Sequence, residues 1–138
     1  MNPYTYVISL RVKHPTQDLS YLDSLLEIKA KGGWLAGEQR MTPKGTILDG
    51  RYTDSYWYSV ITNDPEESDN IDIETSLEEW TNKLSTHSAE LNRITNEGGT
   101  IEYFIWIYCD RNLGIDISPN LMKNISSLGI SLGVVCDP

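Results

Sequence analysis

The 138-residue chain has few of the side chains that most often perform chemistry: two histidines, two cysteines and a single phenylalanine. His14 precedes a proline and His87 falls in a helical stretch. Neither has a carboxylate at a metal-ligand spacing, and both are expected at the surface or its boundary. Cys109 and Cys136 form no close pair for metal or redox work, and they read as two buried thiols of a cytoplasmic protein. No HExxH or nucleophile-elbow pattern occurs. Lys44-Gly45-Thr46 runs in the wrong order for a P-loop, and Gly32, Gly33 and Gly37 lack the strand-to-helix context of a phosphate loop. No apolar run approaches the ~20 residues of a membrane span, so no membrane partner is expected. The opening MNPYTYVISLRVKHP lacks a basic leader and a cleavage site, which again points to the cytoplasm. Together these absences point away from an enzyme, a metal and a cofactor.

Positive charge is also scarce. Eleven Lys and Arg face twenty Asp and Glu, a net charge of −9, which argues against nucleic acid as a partner. The deficit is local: residues 64–79 hold eight acids and no base, while the rest of the chain is nearly balanced. The segment contains no glycine, so it lacks the pattern of a calcium loop. Asn63–Glu74 is too polar for a core and has no periodicity, so it reads as a surface loop. Two roles fit it. One is a solvated loop that keeps the protein soluble. The other is a docking surface for a basic protein partner, where clustered charge speeds encounter and favours the right orientation. Asp64, Glu66, Glu67, Asp69, Asp72 and Glu74 are the residues expected to carry the second role.

What is present in strength is hydrophobic pattern. Thr100–Asp110, TIEYFIWIYCD, is apolar on both faces and reads as a strand inside a sheet. Tyr4–Lys13 alternates as a half-buried strand, ended by His14-Pro15. Asp18 or Thr16 caps a short helix with the stripe Leu19, Leu22, Leu25 and Leu26, closed by Gly32-Gly33. Residues 34–54 are the least regular part. There Asp49-Gly50 is a hairpin candidate, and a short strand around Thr46–Leu48 is expected to pair with Ser55–Thr62. A capping box, Ser76 with Glu79 or Thr75 with Glu78, opens one long helix through Thr95 that Gly98-Gly99 stops. Ser118-Pro119 opens the last helix, Gly129 sits at its left-handed C-cap, and Ile130, Leu132, Val134 and Cys136 alternate as a final strand.

This is β-α-β-β-α-β-α-β, a single α+β domain. Its first six elements follow the ferredoxin-like pattern, and a C-terminal α-β is added. A right-handed crossover then shelters the aromatic strand, giving a mixed five-stranded sheet of expected order 5-4-1-3-2 with helices on one face. Trp34, Arg40, Tyr52 and Trp57 surround the irregular segment and form a candidate small-molecule pocket, although aromatics at strand spacing are more often core.

The motifs DLSYLDSLLEI, GGWLAGE, YTDSYWYS, SLEEWTNKL and IEYFIWIYCDRNLGIDISPNLMKNISSLGISL, spread from Asp18 to Cys136, resemble a bacterial family, domain of unknown function 4279. The resemblance implies a small cytosolic protein with no established activity and no catalytic motif to carry over. Some genes of this type lie among polymorphic-toxin loci and look like immunity proteins. It therefore implies an inhibitor of a cognate toxin, whose basic domain an acidic surface would mask.

Overall fold

The computed structural model describes residues 3–138. In chain order the elements are β1 (Thr5–His14), α1 (Leu22–Leu26), β2 (Gly32–Trp34), β3 (Gln39–Met41), β4 (Ile47–Arg51) and β5 (Ser55–Val60). Then come β6 (Glu66–Glu67), α2 (Ile73–Ser85), α3 (Ser88–Asn96), β7 (Thr100–Tyr108), α4 (Pro119–Ser127) and β8 (Ile130–Asp137). It is an α+β arrangement around a mixed sheet of order β2-β5-β1-β7-β8, with β6 paired to the start of β1. Every neighbouring pair is antiparallel except β7 and β8, which run parallel.

Alternation in the strands sorts side chains onto two unlike faces. Tyr6, Ile8, Leu10 and Val12 of β1 point the same way as Ile101, Tyr103, Ile105 and Ile107 of β7, and all are buried. Leu22 and Leu26, Leu77 and Leu84, Leu91 and Ile94, and Leu121 and Ile125 bring the four helices onto that side in one cluster. Each such side chain contributes roughly 1.5–3 kcal/mol by leaving water. The other face carries Ser9, Arg11 and Lys13 of β1, Tyr56 and Tyr58 of β5, and Glu102, Phe104 and Trp106 of β7. Apart from Val7, which is buried opposite Trp106, these side chains are half-buried or exposed.

The last helix and strand form as the residues require. Ser118 Oγ accepts the Leu121 N–H at 3.1 Å, Pro119 takes the first helical turn, and Gly129 adopts φ 73°. β7 lies between β1 and β8 rather than at an edge.

Other expectations are corrected. The strand beside β5 is Gly32–Trp34, not the segment around Thr46–Leu48, so the order 5-4-1-3-2 does not stand as written. Those glycines belong to the sheet because Tyr58 lies over Gly32: a Cβ there would sit 2.6 Å from its ring. Residues 47–51 instead pair with Gln39–Met41 in a separate two-stranded ribbon. Its turn is at Thr42–Thr46, where Thr42 N–H donates to Thr46 O at 2.8 Å, while Asp49-Gly50 lies inside β4.

The long helix is two. Ser85 and Thr86 hydroxyls donate to the Asn82 and Lys83 carbonyls at 2.6 and 3.0 Å, and the backbone breaks before Ser88. Its N-cap is Asp72, whose Oδ1 accepts the Thr75 N–H at 2.8 Å, in place of the expected serine or threonine box. Asp18 caps no helix; it closes a turn onto Ser20 N–H at 2.9 Å, and α1 ends on Glu27 in the left-handed region.

His14 is buried rather than superficial. Its Nδ1 accepts the Thr16 and Gln17 N–H groups at 3.1 and 2.8 Å, and Nε2 meets Glu97 Oε1 at 2.8 Å, tying β1 to the end of α3. The thiols are not buried either: Cys109 is half-exposed and Cys136, on the edge strand, is exposed.

Candidate functional site

The strand register builds one end of the sheet from three distant segments. Thr5 stands opposite Tyr108 on one side and Glu67 on the other, so the start of β1 and the ends of β6 and β7 form a row. The chain after β6 is tied down by backbone bonds. Ser68 N–H donates to Tyr4 O at 3.0 Å, and Tyr4 N–H donates to Ser68 Oγ at 2.9 Å. Ile73 is fully buried and anchors the first turn of α2, its N–H donating to Tyr4 Oη at 3.2 Å. The acidic segment is therefore ordered against the sheet.

Beneath it the hydroxyls are satisfied. Tyr6 donates to Ile71 O at 2.7 Å and meets Ser76 Oγ at 2.6 Å, and burial pushes its pKa up to about 12.

Two adjoining clefts, of about 480 and 360 Å³, open at this end and share Tyr4, Ser68 and Asp69. Glu67, Asp69, Asp72 and Glu74 line them from one side; Asp110 and Asp116, from the segment after β7, line them from the other. Among the described residues, no lysine or arginine lines either cleft. Arg111 Nε lies 3.5 Å from Asp110 Oδ1 in an exposed pair, a geometry that contributes little in water. Among the acids stand two exposed apolar groups, Tyr108 and Ile115. An apolar contact inside a charged rim is the anatomy of a protein-binding patch.

Of the six acids expected to act together, Asp64, Glu67, Asp69 and Asp72 are exposed and Glu74 is half-buried. Glu66 differs. It lies opposite Tyr6 in the sheet, only 9% exposed, with Oε2 accepting Asn63 Nδ2 at 3.3 Å. Asp64 borders neither cleft. Asp110, Asp116, Tyr108 and Ile115 were not singled out by sequence reasoning. The one available signal was Asp110 closing the aromatic strand, which means little until β6 is known to pair with β1. Among the described residues, no three His, Cys, Asp or Glu side chains converge as metal ligands would.

Of the four residues of the expected pocket, Trp34 and Tyr52 come together, while Trp57 and Arg40 lie apart from them. Trp34 stacks on Tyr52 with ring centres 4.2 Å apart and planes at 8°. Trp57 turns to the opposite, covered face, 2% exposed, its Nε1 donating to Asp23 Oδ1 at 2.8 Å. That hydrogen bond, with a second from Ala30 N–H, holds the Asp23 carboxyl below its ordinary value. Trp34 and Trp57 both line a cleft of about 440 Å³ at the β2 edge, which neither Arg40 nor Tyr52 reaches. Arg40 lies out on the ribbon, donating to Asp49 O at 3.2 Å.

The sequence matches one family model, Domain of unknown function (DUF4279), over residues 3–137. The chain belongs to this family. The DUF4279 match takes in β1 and runs to the end of β8, so it spans the covered core, the acidic end and the open face alike. No curated protein and no solved structure matches the chain. No helix among the described residues is long and apolar enough to cross a membrane.

Proposed function

We propose that the chain is a non-enzymatic, cytoplasmic binding protein that uses its acidic end to hold a basic protein, with an immunity protein masking a cognate bacterial toxin as the specific reading. The observation that carries it is the convergence of six carboxylates from two segments around Tyr108 and Ile115, with no lysine or arginine among the described lining residues. Such a rim steers a positive surface into place and repels a nucleic-acid backbone, while the apolar pair supplies contact area. We also read the path β1-α1-β2-β5-α2-α3-β7 as a ferredoxin-like core, with the ribbon inserted and α4-β8 appended; the antiparallel neighbours support this.

The test is to retain a partner on the chain from its native host at low salt, identify it, and titrate it against two proteins. One is the wild type; in the other Glu67, Asp69, Asp72, Glu74, Asp110 and Asp116 are changed to Asn or Gln. The reading expects a steep loss of affinity with salt for the wild type, and a weaker, flatter curve for the variant. Equal affinities with equal salt dependence would remove the acidic end from the function. A partner that is toxic when expressed alone and harmless with this chain would support the immunity reading.

A further inference from the structure

The open face of the sheet carries a cleft of its own, of about 500 Å³, bordered by Arg11, Lys13, Trp34, Tyr56 and Glu102 among others. Its charge is unlike that of the rest of the surface. The clefts at the acidic end, at the β2 edge and beside α2 are all lined by more acids than bases. This one has two bases against one acid, in a chain of net charge −9.

The cations are held in place but not neutralised. Arg11 stands directly across the β1–β7 pair from Glu102, yet its guanidinium lies over the Phe104 ring, 3.7 Å from the centroid, and no ion pair joins it to Glu102. Lys13 Nζ sits 5.8 Å from the Tyr56 ring centroid. A cation over a ring keeps its charge and its outward N–H groups for something else.

Two further observations sharpen the case. Arg11 Nε and Trp34 Nε1 are buried N–H donors with no acceptor, and both residues border this cleft. Buried donors in native proteins are nearly always paired, so two on residues that border one cleft mark hydrogen-bonding capacity there that the fold does not use.

We propose that this cleft binds a small organic anion through a carboxylate or phosphate group. Arg11 and Lys13 take the charged head, the orphaned N–H groups supply hydrogen bonds, and the Tyr56 and Trp34 rings pack against the organic body. The site is separate from the acidic end and does not depend on that reading.

The full chain is titrated by calorimetry with benzoate, phenyl phosphate and inorganic phosphate. Saturable binding of benzoate or phenyl phosphate is expected, with the tighter of the two naming the head group and inorganic phosphate the weakest of the three. Arg11→Met, which removes the guanidinium and leaves an unbranched apolar side chain, should weaken the better ligand by about tenfold, and Lys13→Gln by about threefold. Arg40→Gln, outside the cleft, should leave it unchanged. If the Arg11 variant fails to fold, the exposed Lys13 decides alone. Absence of saturable binding by both organic anions, binding that survives the substitutions, or inorganic phosphate binding as tightly as phenyl phosphate would each overturn the proposal.

Discussion

The two faces of the sheet treat their polar atoms differently. On the covered face each buried aromatic polar group has found a partner: Tyr6 on Ile71 O and Ser76, Tyr103 on Thr81 Oγ1 at 3.0 Å, Trp57 on Asp23. On the open face, Arg11 Nε, Trp34 Nε1 and Trp106 Nε1 are buried without one. An unmade hydrogen bond in a low-dielectric site costs free energy that a made one does not. The covered face is thus finished as a core. The open face keeps hydrogen-bonding capacity that the fold does not use, which is what a surface awaiting a ligand requires.

The largest effect expected is on packing. Leu10→Ala, on the covered face, should cost about 2–5 kcal/mol in denaturant unfolding. Trp106→Ala, on the open face, should cost under about 2 kcal/mol, since its side chain is only partly buried. Equal losses would erase the distinction between the faces.

Next is alkaline pH. Burial pushes the Tyr103 hydroxyl up to about 12, whereas in the unfolded chain it titrates near 10. The unfolded chain therefore ionises first. The stability this group contributes is complete below pH 10 and is lost as pH rises through 12, on the order of 2 kcal/mol. Tyr103→Phe should flatten that limb of the stability curve. A wild type equally stable at pH 9 and pH 11.5 would show that the core does not hold the phenol neutral.

Smaller still is the contrast between two indoles. Trp57→Phe removes the donor to Asp23 and should cost about 1 kcal/mol. Because the folded Asp23 pKa lies below its ordinary value, its contribution is present above that ordinary value and disappears as pH falls. The variant should therefore lose less stability on acidification than the wild type. Trp34→Phe deletes a donor that has no acceptor and should be near neutral, within about 0.5 kcal/mol. Reversal of that pair of results would contradict the comparison at its most specific point.

Legibility in the sequence followed the same division. β1, β5, β7, α4 and β8 were readable because alternation or a capping residue states them locally. β2 was not, since Gly-Gly-Trp has no strand signature until Tyr58 covers Gly32 across the β5 pairing. The break between α2 and α3 was hidden because the apolar stripe continues through it; only the Ser85 and Thr86 hydroxyls mark it.

At the acidic end, the charge run was visible as composition, but its partners Asp110 and Asp116 come from the far end of β7 and the loop beyond. Burial of Glu66 needed the β6–β1 pairing, which two residues cannot announce. Trp34 and Trp57 were grouped by nearness to one irregular stretch. The strand period places them on opposite faces once β2 is known to lie beside β5, with Trp34 level with Tyr56.

The most direct test of a finished face beneath an unfinished one is the indole N–H region of an amide-nitrogen spectrum, with benzoate and phenyl phosphate added stepwise. The account predicts that the Trp34 resonance moves saturably with one of them while that of Trp57, bound to Asp23, stays fixed. Movement of Trp57 instead, or no movement of Trp34 with either anion, would contradict it.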